Sequence, residues 1–291
     1  MNRIYALIGA LLFAFISVSS ACTAASPEWV HFTLEPQRGG GDRIEARFRN
    51  EERGPGHDNW STDFRPSELT GLDVAGFRGA GSRPLRFALI REAGRLDCSG
   101  HGGDSHAAGT CSFSANAGFT RLLESRGIGH PTREQAFGLM AVNVRRDVID
   151  AVSAAHYPTP SIDDLMALSA LGVNGAYISE MARAGYRPRS IDTLIQFKAL
   201  DITPAWIAGF ARIGYAGIPA GELVQLKALD ITPEFIAGFD RIGYRHLPVD
   251  QLVQLKALNI TPDFVQRVAA ADSSLPPVDK LVELKTFGRR H

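Results

Sequence analysis

The stretch GRLDCSGHGGDSHAAGTCSF, from Gly94 to Phe113, gathers the residues best suited to chemistry: Cys98, His101, His106 and Cys111. Two thiols and two imidazoles separated by two, four and four residues have zinc-knuckle-like spacing, and sulfur with imidazole nitrogen is a donor set that tetrahedral zinc accepts. The same cysteines support another chemistry. Leu96-Asp97-Cys98 and Cys111-Ser112-Phe113 read as strands in which Leu96 shares a face with Cys98, and Phe113 with Cys111. A β-hairpin would then bring the two sulfurs together on its buried side. Gly100, Gly102 and Gly103 suit a flexible hairpin loop in which the histidines are simply solvated. A disulfide is therefore the leading reading, and a metal site at Cys98, His101, His106 and Cys111 the alternative.

No other pattern points to catalysis. There is no His-Glu-x-x-His among the 8 histidines, no Gly-x-Ser-x-Gly elbow, no phosphate loop and no dinucleotide fingerprint opening a helix after a strand. His31, His57 and His130 are isolated, and Asp163-Asp164 reads as favourable charge at a helix N-terminus. Asn59-Trp60-Ser61 fits the glycosylation acceptor pattern, which a bacterial source would leave idle. Lys and Arg number 31 against 31 Asp and Glu, so no basic face stands ready for a phosphate backbone. The expectation is a non-enzymatic protein with no cofactor and no nucleic-acid partner.

The elements that must position these residues follow two patterns. From Trp29 to Phe113 apolar residues alternate, as in Val30, Phe32 and Leu34, then Ile44, Ala46 and Phe48, then Leu85, Phe87 and Leu89. Gly39-Gly40-Gly41, Gly54-Pro55-Gly56 and Gly79-Ala80-Gly81 punctuate them as turns. Beyond that the period changes. A Leu-x-Gln-x-Lys-Ala-Leu pattern recurs every 29 residues at Leu194, Leu223 and Leu252, with a shortened copy at Leu281 and the register running back through Leu165. A fixed period of this size means stacked units, each burying its apolar face on its neighbours. Each unit reads as two short helices. Ser190 is placed to cap the first, and Thr203-Pro204, repeated at Thr232-Pro233 and Thr261-Pro262, opens the second. Gly185, Gly214 and Gly243 close second helices, each followed by Tyr186, Tyr215 or Tyr244. Phe119, Leu122 and Leu123 place the first such helix directly after the last strand, and Leu281, Leu284 and Phe287 form a lone closing helix.

At the start, Arg3, the apolar run Ile4 to Val18 and the small Ser19, Ser20 and Ala21 read as an export signal. As a helix that run spans about 22 Å, short of a hydrocarbon core of roughly 30 Å, so no transmembrane span is expected. Two ends of the signal stand open. Ser-Ser-Ala before Cys22 fits a lipoprotein box that would lipidate Cys22, with Ser19 where leucine is usual; the other reading is an ordinary cut near Ala21, Ala24 or Ala25.

Copies carrying Leu-Lys-Ala-Leu, then Ile-Thr-Pro, a bulky aromatic and Gly-Tyr, preceded by the Gly94 to Phe113 hairpin, resemble bacterial envelope proteins with short helical repeats. They are similar to the repeats found after the metallopeptidase domain of penicillin-sensing antirepressor-like proteins. The protease part is absent here. The resemblance runs from about Leu85 onward and implies an accessory or sensory envelope protein, an analogy at the level of fold.

The expected architecture is α+β: a signal peptide over 1–25, a small antiparallel β-domain over 26–115 that caps the repeats, and an α-α solenoid over 116–291. The expected task is binding an envelope protein or peptide in the periplasm or another exported location, with a structural spacer as the plainer possibility. Gln196 and Lys198, Gln225 and Lys227, Gln254 and Lys256 recur on the first helix of successive units and are the candidate binding residues, while Trp206, Phe235 and Phe264 are assigned to the core. A thiol count decides the local chemistry. The disulfide reading requires that Cys98 and Cys111 stay unreactive in the denatured protein until a reductant is added; two reactive thiols released together with zinc would sink it.

Overall fold

A computed structural model of the chain describes residues 29–38, 41–49, 59–187, 189–272 and 274–288. The export signal, Cys22, His57, Gly39-Gly40 and Gly54-Pro55-Gly56 lie outside the described residues.

Strands β1 (Trp29–Pro36), β2 (Ile44–Arg49), β3 (Asn59–Phe64), β4 (Leu69–Thr70), β5 (Arg83–Ile90), β6 (Gly94–Gly103) and β7 (His106–Ala115) form one antiparallel sheet. The order is β3-β2-β1-β7-β6-β5-β4, and the sheet curls into a half-barrel. The three expected alternating runs lie in β1, β2 and β5, with their apolar residues buried on the inner face. β3 escapes the sequence pattern because Thr62 stands between its two inward aromatics, Trp60 and Phe64. A short helix, α1 (Val74–Arg78), capped by Asp73, buries Phe77.

The β6–β7 hairpin corrects one expectation. Gly100, Gly102 and Gly103 lie within β6 rather than in a flexible loop. The turn is only Asp104-Ser105, both left-handed with φ of 52° and 61°, as a two-residue hairpin turn requires. Its tip is held by α1: the Asp104 amide donates to the Gly79 carbonyl at 2.7 Å and the Ser105 amide to that of Phe77 at 2.9 Å. Gly100 pairs with Gly109, and a side chain on either would strike the opposite backbone, so the glycines serve close approach between curled strands.

The helices that follow are α2 (Ala117–Ser125), α3 (Arg133–Ala141), α4 (Arg146–Ala154), α5 (Ile162–Ala170), α6 (Gly175–Arg183), α7 (Ile191–Ala199), α8 (Pro204–Arg212), α9 (Ala220–Ala228), α10 (Pro233–Asp240), α11 (Val249–Ala257), α12 (Pro262–Asp272) and α13 (Val278–Phe287). Alternate helices begin 29 residues apart throughout, from Arg133 to Val278 in one series and from Ala117 to Pro262 in the other. The caps are those expected. Ser190 accepts from the Thr193 amide, and Thr203, Thr232 and Thr261 accept from the amides of Trp206, Phe235 and Phe264. Gly185, Gly214 and Gly243 have positive φ, and so do Asn143, Gly172, Asp201, Asp230 and Asn259 after the other series. Glycine, asparagine and aspartate are the residues that tolerate this conformation at a helix end.

Helices of the first series pack on one another in order, α3 on α5 and onward to α13, and α4 packs on α6. Leu165, Leu194, Leu223, Leu252 and Leu281, one per unit, are fully buried between them. Each is worth about 1.5–3 kcal/mol of burial. The closing helix differs from expectation in one residue: Phe287 is 64% exposed, whereas Leu281 is buried.

The sheet and the first helices share one core, which runs from Val30 through Phe113 to Phe119, Leu139, Ile149 and Leu165. Phe137 of α3 reaches the sheet with edge-on contacts to Trp60 and Phe113. The β5–β6 turn completes the joint. Arg91 donates to the carbonyls of Met140 and Ala141 at 2.7 and 2.5 Å, placing a cation on the C-terminal end of α3. Glu92 accepts the Arg146 amide at 2.9 Å, placing an anion on the N-terminal end of α4, whose N-cap Arg145 supplies no side-chain bond. The Arg91 guanidinium also lies over the rings of Trp60 and Phe64 at 5.4 and 5.5 Å. Burial pushes its pKa down to about 10, with the Glu68 charge opposing. Arg91→Ala strands two helix-end carbonyls and should cost about 2–3 kcal/mol in urea unfolding, with Arg91→Lys recovering only part of it. A cost below about 0.5 kcal/mol, the range of ordinary surface substitutions, would show that apolar contact alone makes the joint.

Candidate functional site

Cys98 and Cys111 face each other across β6 and β7, both buried, with their sulfurs 2.01 Å apart, a disulfide-compatible pair. This is the pairing that the shared faces of Leu96 and Phe113 imply. The two histidines are not brought to it. His101 lies three residues from Cys98, and His106 five from Cys111, and an odd step along a strand reverses the face. Both imidazoles are on the exposed side of the sheet while both sulfurs are inside. The zinc-knuckle arrangement of Cys98, His101, His106 and Cys111 is thus not assembled, and among the described residues no group of three or more His, Cys, Asp or Glu is placed to hold a metal.

The glutamine and lysine series lie as expected on α7, α9 and α11. Gln196, Gln225 and Gln254 are exposed, and Lys198, Lys227 and Lys256 are half-buried. The reason for the difference was not legible in the lysines alone. Lys198 lies over the Tyr177 ring at 4.8 Å, Lys227 over Trp206 at 5.3 Å, Lys256 over Phe235 at 5.1 Å and Lys285 over Phe264 at 4.7 Å. Each ammonium therefore sits on the aromatic residue of the preceding second helix, an attraction worth about 0.5–1 kcal/mol at such sites. Trp206, Phe235 and Phe264 are accordingly half-buried floors beneath lysines rather than full core residues. The signal was present, since aromatic and lysine keep the same 29-residue step. Lys256 additionally donates to the Asp230 carbonyl at 2.7 Å. The outcome is a row of exposed amides flanked by cations held at fixed spacing.

Tyrosines tie the units together. Tyr177 donates to the Ile202 carbonyl at 3.0 Å, Tyr215 to that of Leu247 at 2.9 Å, and Tyr244 to that of Pro276. Each bond crosses from a second helix or its exit into the next unit. Burial raises the pKa of Tyr157, Tyr186 and Tyr244, and pushes Tyr177 and Tyr215 up to about 12.

No known protein family, curated protein or solved structure matches this chain. Among the described residues no helix is long and apolar enough to cross a membrane.

The phenols set an alkaline limit. Their folded pKa lies above the ordinary value of 10.0, so the neutral phenol is favoured in the folded state. That contribution is complete below about pH 10 and is lost as pH rises through about 12. The urea midpoint should hold steady up to about pH 10 and fall above it, with phenolate absorbance rising together with unfolding. Folded protein in which all the tyrosines ionise near pH 10, as free tyrosine does, would contradict it.

Proposed function

We propose that this is an exported, non-enzymatic binding protein of the bacterial envelope, built as a sheet domain followed by an α-α solenoid that engages another protein or an extended peptide. The single observation that carries the reading is the glutamine and lysine row: Gln196, Gln225 and Gln254 project from equivalent positions of three successive first helices, beside Lys198, Lys227 and Lys256. Amide donors and acceptors at a constant interval suit a partner with repeating backbone polar groups, and repeat proteins bind through such extended faces. The disulfide-compatible pair agrees with an oxidising compartment. The resemblance to envelope repeat proteins supports a role accessory to a sensory or regulatory system. A spacer role is the second reading, favoured by the commitment of each lysine to an aromatic ring.

The test is cross-linked affinity capture from the envelope fraction of the source organism with the mature chain as bait. One partner enriched by the wild type should be lost with Gln225→Ala combined with Gln254→Ala. It should persist with Lys227→Arg, which keeps the cation over Trp206 and so controls for folding. No partner, or capture indifferent to the glutamines, would favour the spacer.

A further inference from the structure

The second helices are not packed alike, and a cleft lies beside the junction at which α4 and α6 meet through small residues. Where α8 meets α10, a Cβ on Gly209 would stand 3.0 Å from the Pro233 ring and 3.8 Å from the guanidinium of Arg212. Where α10 meets α12, the same point on Gly238 is 3.1 Å from Pro262 and 4.0 Å from Arg241. Proline thus fills the interhelix groove and arginine covers it. Between α4 and α6 both are missing, and the two helices meet directly there, where a Cβ on Gly175 would stand 3.2 Å from that of Ala151. Gly175 occupies the proline position of Pro204, Pro233 and Pro262, and Ala154 the arginine position of Arg183, Arg212 and Arg241. Ala155 stands where Ile213 and Ile242 stand later.

What remains is a cleft of about 410 Å³, within the range of ligand sites. Its floor is Ala151 and Ala154 of α4, Ala155 just after it, and Gly175, Ile178, Ser179 and Ala182 of α6. Its rim is polar. Tyr157, Tyr186 and Arg187 line it, and none of its described lining residues is acidic. Tyr215 and Tyr244, later copies of the same tyrosine position, donate to carbonyls of the next unit, whereas Tyr157 and Tyr186 border open space. Tyr157 feels both Tyr186 and the Arg187 cation, so the three polar groups converge on one mouth.

We propose that this cleft binds a compact apolar group bearing a carboxylate, with the apolar part on the alanine floor and the carboxylate paired with Arg187. The apolar volume accepts one branched or aromatic side chain, and the guanidinium with two phenols, in a described lining that holds no carboxylate, selects an anion over a neutral amide. A free acid and the C-terminal residue of a peptide share this chemistry. The site lies on the second helices, away from the glutamines of α7, α9 and α11, and does not rest on the reading of that face.

Titration calorimetry with isocaproate, and with the peptide Gly-Gly-Leu as free acid and as C-terminal amide, tests it. At least one free acid should bind. Binding of both acids identifies a peptide C-terminus as an acceptable source, and binding of isocaproate alone a small acid. The amide, or Arg187→Gln, should weaken binding by about tenfold or more, the loss of one charge-assisted pair. Ala154→Arg restores the residue of three other units at an exposed position, and should abolish binding while leaving the melting temperature unchanged. Acid and amide binding alike, an undiminished affinity in folded Ala154→Arg, or no binding of any probe overturns the proposal.

Discussion

A helix of nine residues cannot stand by itself in water, because the cost of nucleating it exceeds what so few backbone bonds return. Among the described residues twelve such short helices follow the sheet, and burial against neighbours is what holds them. The fully buried leucine of each first helix from α5 onward, Leu165 through Leu281, is the recurring contact. Left-handed residues after both helices of a unit turn the chain sharply enough for the next helix to lie on the last. Local stop signals and shared burial are therefore one device: a helix that ran longer would miss its neighbour.

Such an arrangement leaves an apolar face at its first helix, and the half-barrel covers it. The joint is made twice over. Phe137 packs among the sheet aromatics, while the β5–β6 turn offers Arg91 to the negative end of α3 and Glu92 to the positive end of α4. Opposite charges on adjacent residues match the opposite ends of successive helices, so one tight turn fixes the direction of both. The disulfide-compatible pair lies in the same sheet, between the two strands that α3 packs against.

Repetition conserves some surfaces and varies others within a single chain. The lysine-on-aromatic pairs recur four times with distances between 4.7 and 5.3 Å, which argues that the geometry is imposed by the helical units rather than by any one sequence context. The proline and arginine that fill the groove between second helices recur from the junction of α6 with α8 onward. Comparing copies of one unit with each other provides an internal reference for what filling that groove requires, and Ala154 with Gly175 depart from it.

The sequence by itself determined the helices, their caps, their 29-residue step and the strands β1, β2 and β5, because capping, left-handed turns and periodic burial are local properties written within one turn of each residue. It also put the pairing of Cys98 with Cys111 ahead of a metal site, since strand parity and the shared faces of Leu96 and Phe113 are local too. Tertiary structure decided the rest. β3 was hidden because its inward residues are separated by threonine and its pairing with β2 is a long-range choice. The glycines of β6 read as a loop until the curl of the sheet supplied a reason for backbones to meet. The place of Arg91 on α3, of lysines over rings one helix back, and of a cleft where proline and arginine are missing all depend on contacts between residues far apart in sequence. Such contacts are set by how the units pack, and no local pattern encodes them.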